Sequence, residues 1–536
     1  MSSTAKKVLK WTAITIAVVV LIAGGLGIYV YTLIPKPIGE KPVLQAELFN
    51  KPATEFPVTG KFIYKSATEL AAMIKSKQAT STEIVQEHIN YIKNNNYKTN
   101  AFVWLFEQEA LDAAKKADEK VAQGELLGLL HGVPVSIKEE FAIKGKPQTV
   151  NAEMFQGFVA VKNSGIVEAM LSEGAIILGA TNVPRMLFDL QTFGEIYPTA
   201  SNPYDLTRTP GGSTGGGAAS VATGFSPIAV GGDFGGSIRV PAAYCGLYGL
   251  KTTDGSTPGH GAFPGEPGNP KYRRMMVTGP LARTVDDIEL SWNAMMNKWP
   301  EQKKKMLEPK TVLKDYKIAY LDEWKFGSDK VIVSKDIKEK LNSLTETLKA
   351  NNVSVANDQP ADYDKMIVMH RILAIYTMLE KVPWLFRQLV IRDFKSSDNH
   401  RIDMSEVYDR MSDIDSAKYD DILKRRDALR DQMESFFTKY DLLIMPVTTT
   451  AAIKHNPEHA PISVDGTDVD YWDNFLYPAV FNATGHPALT VPLGLNAEGL
   501  PIAVQVIGPM NSEKRLIAFA KLIESLHTGF VKPKEK

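Results

Sequence analysis

GGSTGGGAASVATGFSPIAVGGDFGGSIRVPAAYCGLYGLKTT, residues 211–253, holds twelve of the chain's 39 glycines. Two of its glycine clusters each carry a serine, Ser213 and Ser237. Glycine loses the most conformational entropy on folding, so this density is costly unless backbone must turn sharply or approach a ligand closely. Upstream, the strand-like run Val133-Pro134-Val135-Ser136-Ile137 ends in Lys138. Two serines on glycine-rich turns, with a lysine at a strand end, can build an acyl-transfer site that uses no histidine.

Further stretches extend the pattern in a fixed order: HGVPVSIKE, ATNVPRM, SNPYDLTRTPGGS, GPLARTVDD, YDLLIMPVT and NATGHPALTVPLGLNAEGLPIAVQVIG. Together with residues 211–253 they resemble the amidase signature family, over about residues 60–530. The resemblance implies an α/β fold, a central mixed β-sheet sandwiched by helices, that hydrolyses amides. It implies that Lys138 is the general base, that Ser213, preceded by a cis peptide bond, is a relay, and that Ser237 is the nucleophile. The oxyanion hole maps onto the backbone of Phe234, Gly235, Gly236 and Ser237. Thr214 stands where a serine is more often found and keeps the hydroxyl. Neither metal nor cofactor is implied.

The residue types suit the chemistry. An amide needs an activated nucleophile, a proton for its nitrogen and donors for the oxyanion. A lysine becomes a base when burial lowers its pKa. Asp233 and Arg239 flank Ser237, either as a buried pair that fixes the loop or as a solvated one. Glu139 and Glu140 follow Lys138 where many members of the family carry KD, so the acid beside the lysine is placed differently. A rival reading takes Gly211 to Gly215 as the G-x-S-x-G elbow of an α/β-hydrolase esterase, with Ser213 as nucleophile and His486 as partner. That elbow needs a strand before it, and 205–210 reads DLTRTP.

Bulk composition narrows the function classes. Lys plus Arg, 61, equals Asp plus Glu, 61, and a nucleic-acid binder would show a basic excess. The single cysteine, Cys245, excludes an intrachain disulfide and a cysteine-rich zinc site. Residues 11–34, WTAITIAVVVLIAGGLGIYVYTLI, carry no charge and suffice to span a hydrocarbon core of about 30 Å. The expected organisation is therefore a cytoplasmic N-terminus at 1–10, a transmembrane helix at 11–34, a proline-bearing tether at 35–62 and an amidase catalytic body at 63–532, with a cleaved signal peptide as the alternative reading of the apolar run. Lys6, Lys7 and Lys10 before the span, against Lys36 and Lys41 after it, place the body outside the cytoplasm.

Along the body, strand-like runs alternate with helical ones, which also indicates an α/β sheet layered with helices. Ser66 and the run Thr80 to Thr82 read as helix caps, and residues 285–439 read as mostly helical and charge-rich. The apolar run at 366–391, with Trp384 and Phe386, can line an acyl pocket, touch a bilayer or simply bury a helix face. With the membrane span it makes a lipid amide an attractive small-molecule substrate, as in the integral-membrane fatty acid amide hydrolases of the family. The alternative within the superfamily is an enzyme like the glutamine-hydrolysing component of a tRNA-dependent amidotransferase. A binding protein with a decayed pocket is a third reading, which the presence of Lys138, Ser213 and Ser237 opposes.

Overall fold

Aliphatic runs bounded by glycine, proline or turn residues become the strands of one large sheet. The computed structural model describes residues 42–126, 128–257, 260–265, 275–326, 329–379, 387–388, 405–412 and 416–534. In chain order the strands are β1 (Phe102–Leu105), β2 (Pro134–Lys138), β3 (Ile176–Thr181), β4 (Ile228–Asp233), β5 (Tyr248–Lys251), β6 (Val277–Ala282), β7 (Lys317–Tyr320), β8 (Ser354–Asn357), β9 (Leu442–Pro446), β10 (Ala488–Leu495) and β11 (Pro501–Ile507). They form one 11-stranded sheet in the order β1-β3-β2-β4-β6-β5-β10-β11-β9-β7-β8. It is mixed: β2 runs parallel to β3 and β4, β7 runs parallel to β8 and β9, and the remaining pairs are antiparallel.

Alternate side chains of the central strands leave on opposite faces, as a period of two requires. Leu443 and Met445 of β9 join one apolar core, with helices Tyr363–Leu379 and Leu476–Ala483; Leu442 and Ile444 join the other, with helices Val285–Asn297 and Glu513–Ile523. Both faces are thus covered, and burying each such aliphatic side chain contributes roughly 1.5–3 kcal/mol. Ser66 caps its helix as read, and Thr80 is the member of its run that caps the next, each in a reciprocal capping box with Glu69 or Glu83.

Other readings gain detail or fall outside the described residues. The stretch 285–439 also contributes β7 and β8, which extend the sheet at one edge. The part of the expected tether that is described, from residue 42, lies on the body. Leu48 is buried against Val85, Ile89 and Ile92, and the Gln45 side-chain amide donates to Leu105 C=O and accepts from Leu105 N–H. Among the described residues no helix is long and apolar enough to cross a membrane. The span expected at 11–34 lies outside the described residues. In the apolar run at 366–391, Met366, Ile367, Ile372 and Leu373 are core residues, while Trp384 and Phe386 lie outside the described residues.

Candidate active site

Lys138 closes β2 and Asp233 closes β4, and the two strands lie parallel with Ile137 opposite Val230. Both end at the carboxyl edge of the sheet, where open α/β sheets gather their ligands. The turn bearing Ser213 meets that edge. Lys138 Nζ donates to Ser213 Oγ at 2.9 Å and to Gly232 O at 3.2 Å. The Gly212–Ser213 peptide bond is cis. Thr214 N–H donates to Ser237 O at 3.1 Å, which ties the two serine turns together. Ser237 is the more open of the two serines, at 8% exposure against 2% for Ser213.

Electrostatics at Lys138 follow from its surroundings. The side chain is fully buried, and burial lowers its pKa against the pull of the Glu140 carboxylate, 3.0 Å away. Glu139 turns elsewhere: its Oε1 accepts from Thr149 N–H and Tyr197 OH, and its Oε2 from Val150 N–H. Burial raises the Glu139 pKa to about 7. Of the two consecutive acids, the structure therefore gives the lysine to Glu140 and the loop to Glu139.

Around Ser237 the backbone is held by a buried ion pair, not a solvated one. Arg239 Nε and Nη2 reach Asp233 Oδ2 and Oδ1, each at 3.0 Å, and both side chains are sealed from solvent. Burial pushes the Asp233 carboxyl up, but the Arg239 guanidinium outweighs it and holds it well below the usual carboxylate range. The same carboxylate accepts Gly236 N–H at 2.8 Å and Ile238 N–H at 3.1 Å. Gly236 adopts φ +124°, and a Cβ there would stand 2.7 Å from Pro478 Cγ, so the turn demands glycine at this position. With Gly236 N–H engaged by Asp233, the four-donor expectation narrows: the N–H groups of Phe234, Gly235 and Ser237 have no acceptor among the described residues.

Thr214 keeps its hydroxyl near Gly232 O, at a long 3.4 Å, and packs its methyl against Gly217 and Gly231. One residue of the site escaped the sequence reading. His370, buried in helix Tyr363–Leu379, donates from Nε2 to Phe234 O at 3.0 Å and holds its ring against Phe234. Burial lowers its pKa to about 3, so the imidazole is neutral and Nε2 carries the hydrogen. The available signal was a polar residue inside an apolar run. The elbow reading finds no support. Between Thr181 and Ser213 lie only turns, isolated bridges and a short 3-10 turn, and His486 is occupied by Thr484 and Glu434.

Comparison with known proteins places this arrangement. The model of the amidase family matches residues 83–517. A relative from Alkaliphilus metalliredigens (strain QYMF), named as the A component of a glutamyl-tRNA(Gln) amidotransferase, is 31% identical over 477 residues, covering 84% of this chain and 93% of the relative. Among solved structures, a bacterial aryl acylamidase of the amidase signature enzymes superposes with a TM-score of 0.69 at 25% identity, covering 87% of this chain and 96% of its own. A fatty acid amide hydrolase gives 0.70 at 23% identity, covering 87% and 86%, a likeness of fold.

Proposed function

The chain belongs to the amidase family, whose members cleave amide C–N bonds, and we propose that it does so through an acyl-enzyme on Ser237. One observation carries the reading: a buried Lys138 Nζ hydrogen-bonded to Ser213 Oγ, on a turn tied to that of Ser237. Ser237 Oγ bonds to the amide carbon while its proton passes to Ser213 and the proton of Ser213 passes to Lys138. The oxygen takes up the carbonyl electron pair and is met by the N–H groups of Phe234, Gly235 and Ser237. The proton returns through Ser213 to the nitrogen as the C–N bond breaks. Water then repeats the path and releases the acid. Asp233 and Arg239 hold the turn in shape, and Thr214 supports it. Removing one oxyanion donor from such a site typically costs about 10²–10³ in turnover.

For the substrate, the relative's name favours the amidotransferase reading, a glutamine-type primary carboxamide that releases ammonia. The helix at Tyr363–Leu379 lends no support to an acyl pocket, since its apolar residues fill the core. A second reading, a long-chain acyl amide, rests on the uncharged run at 11–34. A panel of glutamine, a small aryl amide and a long-chain acyl amide separates the readings. Ammonia release from glutamine at a kcat/KM at least tenfold above the long-chain amide is expected, and the reverse order overturns the amidotransferase reading.

The same run supports a single-pass tether with the body outside the cytoplasm. The full chain is then expected to stay in the membrane pellet through alkaline carbonate extraction. Release into the supernatant would refute the tether.

A further inference from the structure

Glu140 is a buried acid that the mechanism above leaves unused. It pairs with Lys138 at 3.0 Å, with the two side chains 3% and 1% exposed. A buried ion pair is weak support for stability, because desolvation offsets the attraction. The second oxygen, Glu140 Oε1, is buried and has no hydrogen-bond partner among the described residues. An ionised carboxylate left with a bare buried oxygen is costly, whereas in a carboxylic acid that oxygen is only a carbonyl. Gly232 makes room for it, since a Cβ there would stand 2.0 Å from Oε1. Asp233, which also acts electrostatically on both groups, is bound by Arg239, while Glu139 faces Thr149, Val150 and Tyr197.

We propose that Glu140 is the proton partner of Lys138: the pair holds one proton, and Glu140 Oε2 takes it so that Lys138 meets Ser213 as a free amine. The proposal rests on Lys138 being the base. Moving that proton breaks one N–H bond at Nζ and forms one O–H bond at Oε2, turning ammonium and carboxylate into amine and carboxylic acid with no change in net charge. Lys138 then accepts the proton of Ser213 as Ser237 attacks. The pair carries one positive charge opposite the oxyanion until the proton returns to the leaving nitrogen. Burial acts in the required sense on both groups, lowering Lys138 and raising Glu140. Glu140 acts through Lys138 and is a positioning residue.

The test is the rate of fluorophosphonate labelling of the full-length protein as a function of pH. In Glu140→Gln, whose side chain matches a neutral carboxylic acid in shape and charge, the acid limb should stay within about half a unit of the wild type, because Lys138 sheds its proton beside a neutral group in both proteins. Glu140→Asp keeps an acid and should hold the limb near that of the wild type, at a reduced rate. A limb displaced by about one unit or more in Glu140→Gln, to lower pH where a carboxylate had kept Lys138 charged, overturns the proposal. Should Glu140→Gln not fold, a displaced limb in Glu140→Asp overturns it equally. Labelling of Lys138→Ala at the wild-type rate would instead overturn the base assignment itself.

Discussion

Ser237→Ala is expected to lower amide turnover by about 10⁴–10⁶-fold, the scale seen when a serine nucleophile is removed from an acyl-transfer site. The alanine leaves Lys138, Ser213 and the backbone donors in place with no group to bond the carbonyl carbon. Stability should hardly change, within about 0.5 kcal/mol, because the Ser237 hydroxyl makes no hydrogen bond among the described residues. Turnover and a thermal melt on the same preparation check both halves. Activity within tenfold of the wild type would remove Ser237 from the mechanism and direct attention to Ser213.

The second large effect falls on the support of the turn. Arg239→Met is expected to destabilise the protein by about 3–5 kcal/mol, the cost of leaving a buried charge without its partner. Arg239 is fully buried and donates to Asp233, to Pro478 O and to the side chains of Gln505 and Asn482. Methionine fills much of the volume and satisfies none of these acceptors. Since Asp233 also fixes Gly236 N–H and Ile238 N–H, labelling of Ser237 should slow even in the fraction that stays folded. A urea melt superimposable on the wild type would show that the pair contributes nothing of the kind.

Legibility in the sequence followed local physics. β2, β4, β10 and β11 were readable because each is an aliphatic run closed by glycine, proline or a charge, and because helix caps at Ser66 and Thr80 are chemical as well as positional. β7 and β8 were hidden by their length, four residues each, within a stretch dominated by helical charge patterning. The docking of residues 42–49 rests on scattered contacts, among them buried Leu48, the Gln45 amide on Leu105 and the Asn96 amide on Leu48 O, which leave no periodic signal. At the site, the residue types of Lys138, Ser213, Ser237, Asp233 and Arg239 were readable from the glycine turns and their flanks. Which of Glu139 and Glu140 faces the lysine depends on how the chain turns after β2, and no composition encodes that. Nor does the sequence reveal that the Asp233 carboxylate occupies Gly236 N–H, or that a histidine 136 residues downstream holds Phe234 O. Both are contacts between elements, made only once the sheet has formed.

The most direct measurement is peptide mapping by mass spectrometry of the full-length protein after reaction with a fluorophosphonate. A single phosphonylated residue, Ser237, with no adduct in Ser237→Ala, is the predicted result. An adduct on Ser213, or one that survives in Ser237→Ala, would contradict the assignment of Ser237 as the activated nucleophile.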